Sequence, residues 1–454
     1  MKTVWKGDAL VHQLAGAHQI NPDKTYKWSC FAYPFSHADK QYIFNTLTRK
    51  CVLLDDTDML DTEKEFRTGG SEAAQNPLLA ELAKTFFLVP EDKDEDAFYL
   101  TILRFLRKMS FKKGYTGYTI LPTTACNARC IYCYEEGIQF ETMDTPTAEQ
   151  TVKFIIQSHR KGKKIAINWF GGEPLVGVSA IDTICAGLRE AGIEYEAKMI
   201  SNGSLINDEI IDKMKNEWNI RGMQISLDGE EKDYNYRKNY RYQYDSAYWV
   251  VLHNIKRLAD NGIFVSLRCN VDEKNIDGVR LMIDDLKNLI DSKKYVSLYL
   301  SPLFEVQARE SGIGVWEKSF EISRYAENAG FRVPSSCNLG RVNSHFCMAD
   351  NPKNNIVISP DGGLYNCENF RSFDTIGSVY EGITNTALIE EFDNPESVSE
   401  KCHNCLLLPE CTSFTRCEHI TVSCKYSRKE RLNKALHKKL DSGVEEKEAE
   451  VSNC

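Results

Sequence analysis

Nowhere does the 454-residue chain contain about eighteen consecutive apolar residues, so no membrane-spanning helix is expected. Its first residues, Met1-Lys2-Thr3-Val4-Trp5, lack the charged-then-apolar pattern of a signal segment, and a cytoplasmic protein is expected. Excess basic charge is missing too: Lys and Arg number 56 against 65 Asp and Glu, a net charge of −9 with a pI near 5.6. Such a surface is ill suited to neutralising phosphates, so neither a nucleic acid nor a membrane is expected as a partner. Residues 1–112 carry no cysteine motif. Yet the whole chain holds sixteen cysteines, which in a reducing compartment point by their clustering to metal rather than to disulfides. With 42% hydrophobic residues the chain can bury a sizeable core, and its length suggests two or three domains.

The densest cysteine run is Cys126-Asn127-Ala128-Arg129-Cys130-Ile131-Tyr132-Cys133. A cubane iron–sulfur cluster is normally held by four thiolates, so three leave one iron open to a further ligand. Buried thiols or half of a zinc site are the alternatives, although no second ligand pair of matching spacing lies nearby. The gaps of three and then two residues, with Tyr132 before the last cysteine, resemble the signature loop of the radical S-adenosylmethionine (SAM) enzymes.

Before this loop, residues 26–33, 42–45 and 50–54 read as short strands, 36–39 as a turn and 77–87 as a helix. Phe98, Ile102, Phe105, Leu106 and Met109 then repeat at helical spacing, with Arg104, Arg107 and Lys108 on the other side. Strands followed by helices fit a small α+β, winged-helix-like module over residues 1–112. Its basic helix face is either simply solvated or grips an acidic peptide.

From Gly114 strands alternate with helices, which predicts a parallel sheet with right-handed crossovers. Strands are assigned to 115–121, 165–170, 195–200, 222–227, 264–270 and 295–300, with helices between them, among them 247–261 and 276–289. Ile181, Ile184, Cys185 and Leu188 form an apolar stripe, so Cys185 is read as core. Six units are fewer than the eight of a closed barrel, so residues 113–304 are read as a partial (β/α)6 TIM barrel, an α/β fold whose chemistry sits at the carboxyl ends of the strands.

Those ends carry polar groups. The resemblance implies that Gly171-Gly172-Glu173 receives the methionine amino group of SAM. Asn202, Ser226 and Asp228 offer polar groups suited to the ribose and methionine portions, and Arg268, two residues from Asn270 on one strand face, carries a guanidinium suited to the carboxylate. Tyr132 is counted with them. Each alone is an ordinary loop start, Gly-Gly turn or surface ion pair.

After a bridging segment, 305–335, with a helix around 316–328, eight cysteines fall between 337 and 424: Cys337, Cys347, Cys367, Cys402, Cys405, Cys411, Cys417 and Cys424. With Gly362 they resemble the SPASM extension of radical SAM enzymes that modify peptides, here residues 336–426. That extension implies two auxiliary 4Fe-4S clusters, one on Cys402, Cys405, Cys411 and Cys424, the other on Cys347, Cys367 and Cys417 with Cys337 as a possible fourth ligand. Five residues separate Cys411 from Cys417 where the family has three. Two zinc sites are the alternative. Residues 427–454, rich in Lys and Glu, read as a surface helix that frays into a tail.

The resemblance as a whole implies SAM and three 4Fe-4S clusters, one binding SAM and two auxiliary. It implies an electron donor such as flavodoxin or ferredoxin, and an oxidation begun by a 5′-deoxyadenosyl radical. Two substrates are open: a ribosomally made precursor peptide, cross-linked through a thioether or similar bond and recognised by the N-terminal module, or a sulfatase oxidised to formylglycine. A non-catalytic iron–sulfur or zinc scaffold is the reading from another class.

Overall fold

A computed structural model describes residues 1–442 apart from 16–19, 55–65, 134, 138, 243, 308–311, 335–337, 346, 370–373, 395 and 412–423. Cys337 and Cys417 lie outside the described residues, as does the side chain of Cys424.

The N-terminal segment contains β1 (Lys2–Trp5), α1 (Ala9–Ala15), β2 (Thr25–Trp28), β3 (Ala32–His37), β4 (Lys40–Asn45), β5 (Cys51–Leu54), β6 (Arg67–Gly69), α2 (Gly70–Gln75), α3 (Pro77–Lys84), β7 (Leu88–Pro90) and α4 (Glu95–Ser110). The strands form two antiparallel sheets, ordered β1-β5-β4-β3 and β6-β2-β7. Ala38 and Asp39 take left-handed φ values of 47° and 59°, the two-residue hairpin geometry that matches strand twist. The strand expected at 26–33 is broken at 29–31, because the Ser29 hydroxyl and the Cys30 amide both donate to the buried Glu95 carboxylate. Helix α3 opens on Asn76, whose side chain accepts from the Leu78 and Leu79 amides, with Pro77 in its first turn.

Six parallel strands follow: β8 (Gly117–Thr123), α5 (Thr145–Ser158), β9 (Ile165–Gly171), α6 (Val178–Glu190), β10 (Tyr195–Ser201), α7 (Asp208–Asn216), β11 (Ile220–Ser226), α8 (Glu231–Lys238), α9 (Ala247–Asp260), β12 (Phe264–Val271), α10 (Val279–Leu289) and β13 (Val296–Pro302). The strands pair in sequence order, β8 to β13. Their helix-facing side chains, among them Trp169, Met199, Met223, Ile225, Val265, Leu267 and Leu298, are buried in one core with the α6 stripe that includes Cys185. The expectation missed α8, a second helix between β11 and β12.

The chain continues through α11 (Phe304–Gln307), α12 (Gly312–Asn328), β14 (Asn355–Ile358), β15 (Gly363–Tyr365), β16 (Gly377–Ser378), β17 (Gly382–Ile383), α13 (Thr386–Asp393) and α14 (Cys424–Asp441). Strand β14 pairs in parallel with β8, and β15, β16 and β17 follow antiparallel, so the sheet runs to ten strands across the expected domain boundary.

The two ends of the chain share cores. Phe31, Leu47, Tyr99 and Leu103 pack with Val342, Val398, Cys402 and Leu408. Trp5, Phe44 and Cys51 pack with Leu339, Leu407, Leu432 and Leu436. Two expectations are corrected here. Helix α14 presents Leu432, Ala435 and Leu436 to the first sheet, so the expected surface helix is docked along one face while Lys429, Lys434 and Lys438 stay exposed. On α4, Arg107 is buried, donating to the backbone carbonyls of Ser344, Phe392 and Asp393, whereas Phe105 and Met109 of the supposed core stripe are 40% and 57% exposed. The basic face is thus partly consumed in holding the C-terminal region.

Candidate functional site

Cys126, Cys130 and Cys133 lie just past the carboxyl end of β8, all partly exposed. Burial, with Glu173 and the two neighbouring thiols adding to it, pushes the Cys126 pKa up to about 12. Such thiols bind metal at neutral pH only by giving up their protons to it. Among the described residues no three His, Cys, Asp or Glu side chains converge on the point that a single ion would occupy.

The Gly171-Gly172 pair is explained by close approach. Gly171 has φ +120°, and a Cβ there would sit 2.2 Å from the Thr123 carbonyl oxygen; at Gly172 it would sit 2.4 Å from that of Thr124. The Gly172 amide donates to Thr123 and the Glu173 amide to Ala125, so this segment lies along the backbone that leads into the cysteine loop.

Glu173 is fully buried and its carboxylate is occupied. It accepts from the Ser201 hydroxyl at 2.9 and 3.1 Å, the Asn202 amide at 2.8 Å and the Leu175 amide at 3.2 Å. Burial pushes its pKa up, and these donors pull the other way. Asn202 in turn bridges toward the loop: its Nδ2 donates to Asn127 Oδ1 at 2.7 Å and lies 3.9 Å from Cys126 Sγ.

Asp228 is likewise fully buried. One carboxylate oxygen accepts from the amide and side chain of Asn270, at 2.9 and 3.1 Å; the other meets the Tyr132 hydroxyl and, at 3.1 Å, the Lys238 ammonium. Sequence reasoning chose Asp228, Tyr132 and Asn270, and the structure joins them, but around Lys238, which it missed. A buried lysine at the end of a polar helix carries no sequence signal apart from any other lysine.

The sheet's other face is different in kind. Registration places Ile200, Gln224, Ser226, Arg268, Tyr299 and Ser301 side by side on it, each only partly buried. Tyr299 donates to Gln224 at 2.9 Å. Arg268 donates to Asn270 Oδ1 at 3.0 Å and reaches Ser301 Oγ at 3.3 Å; both are neutral, and among the described residues no carboxylate pairs with this guanidinium. A polar trough with one uncompensated cation suits an anionic group.

Of the other cysteines, Cys347 is exposed and lies near Glu368, next to Cys367 in sequence, while Met348 packs against Leu121 of β8. Cys402, Cys405 and Cys411 lie on successive tight turns, Cys405 N to Cys402 O at 3.1 Å and Cys411 N to Leu408 O at 3.0 Å, against the N-terminal core.

Residues 120–286 match the family model of the radical SAM superfamily. The chain carries a radical SAM domain. It is similar to the serine-type anaerobic sulfatase-maturating enzyme of Klebsiella aerogenes, 25% identical over 63% of this chain and 76% of that protein. It is also similar to the antilisterial bacteriocin subtilosin biosynthesis protein AlbA of Bacillus subtilis, 26% identical over 37% of this chain and 36% of that protein. Two archaeal relatives are matched over only 37% and 39% of their own lengths. A solved structure of native anSMEcpe with bound AdoMet and the Kp18Cys peptide has a TM-score of 0.55 at 15% identity, covering 72% of this chain and 99% of that one, a likeness of fold. Among the described residues no helix is long and apolar enough to cross a membrane.

The radical SAM superfamily implies SAM and a 4Fe-4S cluster. The residues present fit both. Three thiols stand together at one strand end, and among the described residues Arg268 stands on the trough without a carboxylate partner. Glu173 and Asp228 are already committed to protein donors, and so they hold the walls in place.

Proposed function

We propose that this chain is a radical SAM/SPASM maturase that oxidatively modifies a ribosomally made precursor peptide. The observation that carries the radical chemistry is the three-thiol strand end beside a polar trough on which Arg268, among the described residues, has no carboxylate partner. Cys126, Cys130 and Cys133 would hold the cluster; Arg268 would hold the SAM carboxylate, with Ser226 and Asn270 beside it. When bound and reduced, the pair supplies a 5′-deoxyadenosyl radical that takes a hydrogen atom from a substrate carbon. The chain's own part is orientation: Gly171 and Gly172 bring β9 against the loop backbone, and Glu173, Asn202 and Asp228 fix the rim.

A SPASM-like region would hold two further clusters, one near Cys347 and Cys367 with Cys417 and Cys337, the other on Cys402, Cys405, Cys411 and Cys424. The peptide reading is supported by the bacteriocin relative and by the share of this chain, more than a quarter, that the anSMEcpe fold does not cover. In this reading the winged-helix-like N-terminal module contacts the leader peptide, the bond installed is a thioether or similar cross-link, and a flavodoxin or ferredoxin supplies electrons. Sulfatase maturation is the second reading, favoured by the longer match to the Klebsiella enzyme.

Anaerobic reconstitution with iron and sulfide, followed by reduction with SAM, tests the core of the proposal. The parent protein should release 5′-deoxyadenosine. Cys126→Ala should release none, and Arg268→Gln should release it with SAM affinity at least about tenfold weaker, ~1.4 kcal/mol. A parent that releases no more than the Cys126→Ala protein sinks the enzymatic reading.

A further inference from the structure

The cysteine loop is gripped by a segment that belongs to no part of the sequence signature. Helix α8 ends in a left-handed Asn239, φ 45°, and the chain from Arg237 to Arg241 runs along the loop. The Arg129 amide donates to the carbonyls of Lys238 and Asn239 at 3.0 and 3.1 Å. The Ile131 amide donates to Arg237 at 3.1 Å, and the Arg241 amide donates back to Asn127 at 2.9 Å. Four backbone hydrogen bonds thus tie the segment between the first and last thiols to this strap. On the underside, the Lys238 ammonium donates to the Tyr132 hydroxyl at 2.8 Å and pairs with Asp228 at 3.1 Å, with side-chain exposures of 3% and 0%.

Leaving an ammonium dry costs several kcal/mol unless it is paired and hydrogen-bonded. Burial opposes its charge, and Asp228, Tyr132 and Cys130 outweigh that, so its pKa lies above the ordinary lysine value. Paired with Asp228 and donating to Tyr132, Lys238 therefore stays positive beneath the loop that carries the thiols. A cluster on these thiols gains negative charge when reduced, and a fixed cation in a poorly screened interior favours that gain.

We propose that Lys238 is a positioning residue that locks the cysteine loop through Tyr132 and Asp228, and that its buried ammonium raises the reduction potential of the cluster held there. The step concerned is a one-electron reduction by an external low-potential donor, dithionite in the test. This inference rests on the cluster proposed at Cys126, Cys130 and Cys133, and its failure is separable from the failure of that reading. A parent protein that takes up no SAM-responsive cluster fails the reading; a parent that does, with variants at the same potential, fails the inference alone.

The experiment is an anaerobic redox titration of full-length reconstituted protein, following the electron paramagnetic resonance signal that changes on adding SAM. Lys238→Met should shift the midpoint to more negative potential by about tenfold in the reduction equilibrium, ~59 mV for one electron. Lys238→Arg, which keeps the charge, should restore most of it. Replacing both partners, Lys238→Met with Asp228→Leu, leaves no charge unpaired and should shift it in the same direction as Lys238→Met by less. If Lys238→Met does not fold or take up the cluster, the double variant decides: a shift to more negative potential supports the inference, and no shift or an upward one overturns it. Lys238→Met at the parent potential, or Lys238→Arg shifted as far as Lys238→Met, also overturns it.

Discussion

The barrel is assembled from neighbours in sequence, whereas the body formed by the two chain ends joins residues more than three hundred positions apart. In the barrel, each strand from β8 to β13 pairs with the next, and the polar rim follows from where strands stop. In the composite body, Arg49 reaches Glu410 and Pro409, Thr46 donates to Leu406 at 2.6 Å, and Asp96 accepts from the Asn404 amide and the His403 ring. The first cysteine set thus stands on a locally built scaffold, and Cys402, Cys405 and Cys411 stand on one that the N-terminal segment completes. The N-terminal segment, proposed above to contact a leader peptide, is structural support for part of the cysteine-rich region.

The strongest way to break this contrast is to delete residues 1–112. Removing them uncovers the apolar faces that Val342, Leu408, Leu432 and Leu436 bury against the N-terminal cores, so the C-terminal region should lose its fold while the barrel core is spared. Limited proteolysis read by mass spectrometry should show cleavage concentrated beyond residue 338 and protection over 117–302. A truncated protein with the parent's cleavage pattern would show that the ends fold independently. It follows that deletion is a poor test of leader-peptide binding.

A single ion pair gives a sharper cut. The Arg49 side chain is fully buried against Glu410, so Arg49→Ala leaves a dry carboxylate without its partner. The expected cost is about 3–5 kcal/mol, read as a lower urea midpoint for the C-terminal region. Replacing both, Arg49→Met with Glu410→Leu, should return most of it, because the pair's worth lies largely in not leaving one charge alone. A single variant as stable as the parent would mean that water reaches Glu410.

The same contrast explains what could be read in the chain. Strand and helix periodicity located all six barrel strands within two residues, and the rule that barrel chemistry sits at strand ends brought Gly171, Asn202, Asp228 and Arg268 to one rim. What that reading could not supply was which of them are occupied. Glu173 and Asp228 are polar at strand ends just as Arg268 is, but only the three-dimensional arrangement shows that the two carboxylates spend their lone pairs on protein donors. The buried Arg107 and the packed face of α14 escape that reading for a related reason. A charged helix face says nothing of a distant segment whose carbonyls and apolar side chains will cover it.

The smallest expected effect concerns a buried carboxylate of the N-terminal segment. Glu95 is nearly inaccessible and accepts from the Ser29 hydroxyl at 2.5 Å and the Cys30 amide at 2.9 Å. Burial raises its pKa above the ordinary value of 4.5; the hydrogen bonds from Ser29 and Cys30 and the charge of Lys27 oppose this without cancelling it. Below 4.5 the group is protonated in both states. As pH rises past that point the unfolded chain releases its proton first, so stability falls until the folded group has also ionised. Glu95→Gln removes the titration while keeping an oxygen to accept from one donor. Urea midpoints of parent and variant measured from pH 4.5 to 8 should therefore drift apart in the variant's favour as pH rises. A constant difference across that range would mean that Glu95 ionises alike in both states, and that the composite body tolerates a charge at this position.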